Sequence, residues 1–293
     1  MALFGFWKKN EPKVNTNLLA IVQSLARNEI LMNVCKGNCS IDGSKIGGKP
    51  FLSLNFQWPV FFDREEGVTR PLSFFCQIDL EKVAAYDKDH KLPRTGMLAF
   101  FYDCAAFRWG FDPEDRDAAQ VFYFEKTEGF VPTELPENLQ EEYRIPEMEI
   151  SFTARKSYPK YEEFSIHSDL DCEWEEYDLV LEKLGADLNE DPQDHKLLGY
   201  ADIIQDEMLS ECERVCRGMY CGDAESYQQT SEEECEDIAE KAKEWTLLLQ
   251  LSTIETDEFE WMFGDCGMLY FYIRRQDLEE KRFDNCWFAM QCG

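Results

Sequence analysis

The three histidines of the chain limit the catalytic chemistry it can carry, because a serine or cysteine nucleophile needs a base within hydrogen-bond reach. His90 lies in the polar turn KDHKLP, and His167 lies in a charged stretch. His195 stands directly before the apolar LLGY, and it is the one histidine that we single out. None of the three is next to a nucleophile-elbow pattern. The sequence therefore shows no recognisable catalytic constellation and favours a role other than catalysis.

Twelve cysteines make thiol chemistry the next candidate. The densest group is Cys212, Cys216, Cys221 and Cys235. Structural zinc sites usually combine two closely spaced cysteine pairs or add a histidine, and this group has neither feature. We therefore expect reduced thiols, no bound metal and no cofactor, as in a cytoplasmic protein.

Two segments come close to known ligand-binding loops but depart at a decisive position. The stretch GSKIGGKP at 43–50 has the glycine and lysine spacing of a phosphate-binding loop, but Pro50 replaces the hydroxyl residue and an extended segment follows. The stretch DLNEDPQD at 187–194 begins like a calcium loop, but Pro192 stands where glycine is needed. We expect a glycine turn before a strand in the first case and an acidic loop in the second.

Two glutamines occupy matching places in apolar segments. Gln77 lies in LSFFCQIDL and Gln250 lies in TLLLQLSTI, and a buried glutamine must find hydrogen-bond partners. One hypothesis, which we favour, is that the glutamines join the two halves of the chain to each other. The other is that both face a single ligand-binding cleft.

The segment WGFDPEDRD is the most distinctive polar motif. Asp112 before a proline favours a turn, and Asp115, Arg116 and Asp117 can fold back on that turn as a set of ion pairs. Alternatively, Arg116 presents its guanidinium to an anionic ligand. If the chain holds a small molecule between its halves, the expected lining residues are Trp58, Gln77, Trp109, Arg116, His195 and Gln250.

The apolar segments that carry the glutamines belong to two similar sets. LSFFCQIDL at 72–80 is followed by GMLAFFYD at 96–103 and QVFYFE at 120–125, whereas TLLLQLSTI at 246–254 is followed by GMLYFYI at 267–273 and CWFAMQC at 286–292. Short aromatic-rich runs bounded by turn residues are typical of strands. Each set therefore predicts about three strands, and residues 148–154 predict another.

Helical periodicity appears mainly outside these strands. Residues 16–33 predict an amphipathic helix. Residues 173–185, 206–216 and 231–245 predict further helices, the last of which begins with a capping box.

These elements predict an α+β fold in which two similar antiparallel β blocks, related by internal duplication, pack as one unit. We expect a single domain over residues 1–293. Within it we distinguish an N-terminal helical segment (1–40), a first β repeat (41–155), an acidic helical insertion that includes the start of the second repeat (156–245) and the core of the second β repeat (246–293).

The acidic charge is concentrated in one part of the chain. The net charge is −29, from 59 acidic and 30 basic residues. Residues 161–194 carry thirteen acids and one base, whereas residues 1–60 carry seven bases and three acids. Such a field repels nucleic acid and anionic membranes and attracts a basic protein. No apolar run is long enough to predict a transmembrane helix.

Eight ordered motifs resemble the YwqG-like family of uncharacterised bacterial proteins. They are KIGGKPFLSLNFQWP, PLSFFCQIDL, LPRTGMLAFFYD, WGFDPEDRDAAQVFYFE, HKLLGYADIIQ, WTLLLQLSTI, FGDCGMLYFYIRRQDL and FDNCWFAMQCG. The resemblance covers about residue 45 to the end of the chain. It implies an α+β domain of unknown function built from a duplicated motif, with no established catalytic residues. The chain departs at GYADIIQDEM, where relatives tend to have GYPDPIQGDM, so we expect that loop to differ in shape.

We therefore expect a non-enzymatic cytosolic binding or interaction protein that uses its acidic surface, in one version to neutralise a basic toxin. The alternative is a small-molecule-binding protein or an enzyme with a cleft between the two repeats.

Overall fold

The computed structural model describes residues 14–37, 39–186 and 194–293. Within these residues the strands, in chain order, are β1 (Arg27–Cys35), β2 (Lys45–Ile46), β3 (Phe51–Ser53), β4 (Val60–Asp63), β5 (Val68–Pro71), β6 (Ser73–Asp79), β7 (Met97–Tyr102), β8 (Ala119–Phe124), β9 (Phe130–Pro132), β10 (Met148–Ser157), β11 (Lys196–Leu198), β12 (Trp245–Leu251), β13 (Ile254–Glu255), β14 (Glu260–Trp261), β15 (Met268–Arg274) and β16 (Trp287–Gln291). The helices are α1 (Thr16–Ser24), α2 (Leu80–Val83), α3 (Tyr161–His167), α4 (Trp174–Leu184), α5 (Leu209–Cys216), α6 (Ala224–Gln228), α7 (Glu232–Ala242) and α8 (Arg275–Glu279).

Ten of these strands form one antiparallel sheet, in the order β16-β15-β12-β11-β1-β10-β2-β6-β7-β8. The strands β1 and β10 lie at its centre. On one side follow β2, β6, β7 and β8, which we call the first half. On the other side follow β11, β12, β15 and β16, which we call the second half. The three strands predicted for each sequence block are thus the three outer strands of each half.

The two halves are joined by an exchange of strands at the centre of the sheet. β1 precedes β2 in the chain but pairs with β11 of the second half. β10 precedes β11 but pairs with β2 of the first half. β1 and β10 also pair with each other, from Arg27 opposite Ser157 to Cys35 opposite Glu149. Each half therefore completes its sheet with a strand that comes from the other part of the chain.

Both halves interrupt the glutamine-bearing strand at the same place. The register between β6 and β7 shifts at Phe75, and the register between β12 and β15 shifts at Leu248. Each of these residues lies two positions before the glutamine of its strand. Such a bulge increases the local twist of a sheet, so both halves curve at equivalent points.

The sheet is nearly closed, because a segment of the first half lies along the outer edge of β16. The N–H of Met290 donates to the carbonyl oxygen of Trp109 at 2.9 Å. The Nε1–H of Trp287 donates to the carbonyl oxygen of Gly110 at 2.8 Å. The WGFDPEDRD segment therefore caps an edge that would otherwise expose unpaired backbone groups.

Aromatic side chains from both halves meet inside the curved sheet. The ring centroids of Phe100 on β7 and Phe271 on β15 are 5.2 Å apart. Those of Tyr102 on β7 and Phe288 on β16 are 5.7 Å apart. All four residues are buried. Burial of such large rings is a main driving force for folding, and here it fills the space between the halves.

Two groups of helices pack beside the second half. α5 and α7 cover a cluster that includes Trp245, and α1, α3 and α4 form a smaller cluster around Phe164 and Tyr177. Ile166 of α3 packs against the first of these clusters, so α3 links the two groups. None of the helices in the described ranges is both long and apolar enough to cross a membrane.

The structure confirms a fold of antiparallel sheet and helices, with the strands of both blocks and α4, α5 and α7 near their predicted positions. The helix predicted over 16–33 is wrong beyond Ser24, because the following residues form β1 at the centre of the sheet. Pairing on both sides of β1 overrides the local helical periodicity. The acidic loop predicted at 187–194 lies outside the described residues except for Asp194.

Candidate functional site

A cluster of charged side chains is buried where β1, β10 and β11 meet. Lys196 is only 1% exposed. Its Nζ lies 2.8 Å from Oδ2 of Asp202 and 3.3 Å from Oε2 of Glu29. Arg155 pairs with Glu29 and, at 3.0 Å, with Asp194. We call these five residues the second-half lysine site.

Opposite charges offset the effect of burial on the pKa values of Asp202 and Arg155. Burial alone would raise the pKa of Asp202, but Lys196 and a hydrogen bond from Gln250 bring that pKa below its ordinary value. Burial would lower the pKa of Arg155, but Glu29 and Asp194 raise it instead. The cavity beside Glu29, Arg155, Lys196 and Asp202 measures about 40 Å³, whereas Asp194 and His195 line a separate, more open cavity of about 490 Å³. The smaller cavity accommodates a few water molecules rather than a metabolite, so the site is a buried ion-pair network.

Gln250 ties this network to the backbone. Its Nε2 donates to Oδ2 of Asp202 at 2.7 Å and to the carbonyl oxygen of Asp194 at 3.0 Å. Its Oε1 accepts the N–H of Asp202 at 2.9 Å. The amide of Gln250 is therefore used within the second half.

The first half contains a matching but simpler arrangement, which we call the first-half lysine site. Lys45 pairs in register with Gln77, just as Lys196 pairs with Gln250. The Nζ of Lys45 lies 2.8 Å from Oε2 of Glu147, which is its one ion-pair partner in the described chain.

Gln77 holds the first-half lysine site through backbone groups. Its Oε1 accepts the N–H of Phe51 at 2.9 Å, and its Nε2 donates to the carbonyl oxygen of Gly43 at 2.8 Å. Gly43 lies two residues before Lys45 and Phe51 lies six residues after it, and the partners of Gln250 have the same offsets from their lysine. The hypothesis that the glutamines join the halves is therefore wrong. Both are fully buried, so the hypothesis that they face a cleft fails as well.

His195 lies next to the second-half lysine site and acts as a backbone acceptor. Its Nδ1 accepts the N–H of Ser252 at 3.1 Å. Burial lowers the pKa of His195 to about 4, so its ring is neutral at neutral pH. Ser44 takes the same place in the first half, where its hydroxyl accepts the N–H of Asp79 at 2.9 Å. The position therefore needs an acceptor, and the two halves supply different ones.

The WGFDPEDRD segment forms the predicted turn but not the predicted ion pairs. The side chain of Asp112 caps a short 3-10 helix, and Asp115 accepts a backbone N–H. Arg116 is exposed, with its guanidinium 5.9 Å from the ring centroid of Trp287, and it makes no ion pair within the described chain. Arg108 lies 3.9 Å from Asp115 instead. The prediction that Arg116 pairs with the aspartates of this turn is therefore wrong.

The two predicted tryptophans have structural contacts. The Nε1–H of Trp58 donates to the carbonyl oxygen of Leu72 at 2.8 Å, and its ring packs 5.4 Å from that of Phe101. Trp109 lies along the edge of β16. The predicted lining residues are therefore spread over the fold. Trp58 packs on Phe101, Gln77 belongs to the first-half lysine site, Trp109 and Arg116 belong to the closing turn, and His195 and Gln250 lie beside the second-half lysine site.

The cysteine group that stood out in the sequence does not come together as a metal site. Cys212 and Cys221 are buried, Cys216 is partly buried and Cys235 is exposed. In the part of the chain that the structure describes, no three or more His, Cys, Asp or Glu side chains are placed to hold a metal ion.

The helices beside the second half carry a dense set of exposed carboxylates, which we call the acidic layer. It consists of Glu162, Asp169, Asp171, Glu173, Glu175 and Glu182 on and around α3 and α4, and Glu225, Glu232, Glu233, Glu234 and Glu236 on α6 and α7. Within the described ranges, none of these carboxylates has a lysine or arginine nitrogen within 4 Å. Trp174 of α4 and Tyr227 of α6 are also exposed among them, at 53% and 43%.

Sequence reasoning missed most of the second-half lysine site. A signal for it exists, because Lys45 in SKIGG and Lys196 in HKLLG stand at equivalent places before the two blocks. Glu29 is distant from Lys196 in the sequence. Asp202 lies close to Lys196, but Phe51 stands at the matching position after Lys45 in the first half. Only the strand exchange brings Glu29 to the lysine.

The model of a domain of unknown function (DUF1963) matches residues 44–292 of the chain. The chain therefore belongs to that family. The match begins directly before Lys45 and includes both glutamine-bearing strands. No curated protein matches the chain.

Proposed function

We propose that this YwqG-like member of the DUF1963 family is a non-enzymatic binding protein that receives a basic partner protein on its acidic layer. One such partner is a basic toxic enzyme, which the protein would inhibit by binding it through the acidic layer. The observation that carries the proposal is the group of exposed carboxylates on α3, α4, α6 and α7 without ion pairs in the described chain.

Charge repulsion within such a layer is unfavourable in the unbound protein. Elsewhere on α7 the acids are compensated, since Asp237 pairs with Arg217 and Glu240 pairs with Lys243. A basic partner would neutralise the remaining carboxylates and gain a faster, salt-dependent association. The exposed Trp174 supplies the kind of aromatic contact that protein interfaces favour.

We also propose that the two halves arose by internal duplication. Support comes from the matched lysine–glutamine register, the bulges at Phe75 and Leu248, and the acceptors Ser44 and His195 at equivalent positions. The acidic layer lies only beside the second half, so it would be an addition to the duplicated frame.

The binding proposal is tested by neutralising one part of the acidic layer. The variant Glu232→Gln, Glu233→Gln, Glu234→Gln, Glu236→Gln removes four charges from the exposed surface of α7. The matched control Asp117→Asn, Glu128→Gln, Glu137→Gln, Glu142→Gln removes four exposed charges from the first half. Proteins captured from cell extract at low salt are identified, and the affinity of the purified basic partner is measured for all three forms.

We expect the α7 variant to bind the partner at least about tenfold more weakly than the control, and high salt to weaken binding to the wild type. Equal affinities for the two variants, or binding that does not respond to salt, would reject the proposal. Thermal unfolding of both variants shows that the comparison is made between folded proteins.

A further inference from the structure

A cleft of about 500 Å³ lies on the seam between the two halves, and none of the five residues of the second-half lysine site lines it. The first residues of β1, the loop 89–91, the end of β11 and the helix α8 border it. Loop 89–91 follows α2 of the first half, whereas α8 follows β15 of the second half. Clefts of this size commonly hold metabolites.

Three of the side chains that line this cleft are cationic. Arg27, Lys91 and Arg275 line it, together with His90. Within the described residues, none of these three cations has a carboxylate oxygen within 4 Å. The chain has 59 acidic and only 30 basic residues. Three cations without ion pairs in one cleft are therefore unusual for a chain with this net negative charge.

Both arginines are held in place by neutral groups. The guanidinium carbon of Arg27 lies 4.0 Å from the ring centroid of Tyr200, whose hydroxyl donates to the carbonyl oxygen of Leu25 at 2.7 Å. Arg275 donates through Nη2 to the carbonyl oxygen of Lys243. Stacking uses the flat face of a guanidinium and leaves N–H groups at its edge for a ligand.

Two carboxylates also line the cleft and limit its positive charge. Oδ2 of Asp89 accepts the N–H of Asn28 at 2.8 Å, so this carboxylate is bound to the backbone of β1. Glu279 is exposed on α8. An adjoining cleft of about 320 Å³ shares Arg27, Asn28 and Asp89, and its lining adds Lys88, Lys156 and Arg155 of the second-half lysine site. The cations therefore outnumber the carboxylates along the whole seam.

Unusual backbone conformations occur at two positions of the same lining. His90 has φ 54° and Leu198 has φ 59°, and they are two of the five non-glycine residues with positive φ in the described chain. Such conformations cost energy and cluster at ligand-binding sites.

We propose that this cleft binds a small phosphorylated metabolite. Arg27 and Arg275 donate to the phosphate oxygens, and Lys91 supplies a third positive charge. A phosphate monoester carries nearly two negative charges, which suits three cations better than a single carboxylate does. The proposal goes beyond a basic protein partner, because it uses no residue of the acidic layer.

The test uses the full-length protein and phosphorus NMR. Inorganic phosphate and glucose 6-phosphate are titrated, and glucose and citrate serve as uncharged and carboxylate competitors. We expect both phosphorus signals to broaden with wild-type protein. Binding should weaken in the variant Lys91→Gln, which alters an exposed side chain. It should weaken by at least about tenfold in the double variant Lys91→Gln, Arg275→Gln. Lys126→Gln removes an exposed cation that does not line the cleft and should leave binding unchanged.

Three results would overturn the proposal. They are the absence of broadening with the wild type, equal broadening with the double variant and Lys126→Gln, and displacement of phosphate by citrate at lower concentration than by glucose 6-phosphate. The last result would identify a carboxylate site. Capture of a basic protein by the acidic layer is measured separately, so either proposal can fail without the other.

Discussion

The two lysine sites occupy matching places in the sheet, but they bury different amounts of charge. Lys45 has one carboxylate partner, Glu147, whose side chain is 42% exposed. Lys196 has two partners, Glu29 and Asp202, whose side chains are 2% and 10% exposed. The same backbone arrangement therefore supports two kinds of site. At the first-half lysine site water can solvate the carboxylate, whereas at the second-half lysine site the buried charges must balance one another. The lysine–glutamine register is the common requirement, and the extra charges are particular to the second half.

Removal of the second-half lysine should give the largest effect. Lys196→Met leaves Asp202 buried without its cation and leaves Glu29 with Arg155 alone. Loss of one member of a buried ion pair costs about 3–5 kcal/mol. We expect the free energy of unfolding, measured by urea denaturation, to fall by about that amount.

A second substitution separates lost charge balance from lost packing. In the Lys196→Met background, Asp202→Asn removes the carboxylate that has lost its cation and keeps its shape, so it should restore part of the lost stability. If Asp202→Asn instead destabilises the wild type and the Lys196→Met variant equally, the difference between the two lysine sites does not arise from charge.

The glutamines should give the next largest difference. Gln250→Leu removes a hydrogen bond to the Asp202 carboxylate and leaves backbone groups unpaired, and we expect a loss of about 2–3 kcal/mol. Gln77→Leu removes hydrogen bonds to neutral backbone groups only, and we expect about 1–2 kcal/mol. Paired urea denaturation curves provide the comparison, and an equal loss would show that the Asp202 carboxylate adds nothing to the role of Gln250.

Lys45→Met should cost less than Lys196→Met, because water can solvate the half-exposed Glu147 once its cation is gone. We expect a loss of about 1–2 kcal/mol in the free energy of unfolding. A loss as large as that of Lys196→Met would mean that the first-half lysine site is as dependent on its ion pair as the second.

His195 should have the smallest effect at neutral pH, and its effect should grow on acidification. The pKa of His195 falls from 6.5 to about 4 on folding, so the unfolded chain takes up the proton first. Its contribution to stability is present above pH 6.5 and is lost as the pH falls from 6.5 towards 4. His195→Ser, which installs the acceptor of the first half, should reduce this loss and change stability little at neutral pH. Urea denaturation at several pH values measures the effect, and parallel pH profiles for wild type and variant would contradict it.

Local sequence patterns predicted correctly the strands and helices whose conformation depends on nearby residues. The aromatic runs around Gln77 and Gln250 gave the outer strands of both halves, because strand-like composition and flanking turns are local properties. Ser231 gave the start of α7, and its hydroxyl accepts the N–H of Glu234 at 3.3 Å. The position of β1 was missed, since its strand conformation depends on neighbours that lie more than a hundred residues later in the chain.

The lysine sites were predicted less completely than the elements. The sequence marked Gln77, Gln250 and His195, which the structure places in equivalent polar frames. It did not reveal that each glutamine serves its own half, because local composition does not specify partners. Glu29 reaches Lys196 only through β1, and no spacing in the sequence indicates that contact.

The exchange of β1 and β10 has a consequence for synthesis on the ribosome. β1 emerges early, but both of its neighbours, β10 and β11, begin only at Met148 and Lys196. The first half likewise lacks the strand residues that pair with β2 until Glu149 has been made. The nascent chain therefore carries incomplete sheet edges through more than half of its translation, and Glu29 waits for its lysine until residue 196 has been made.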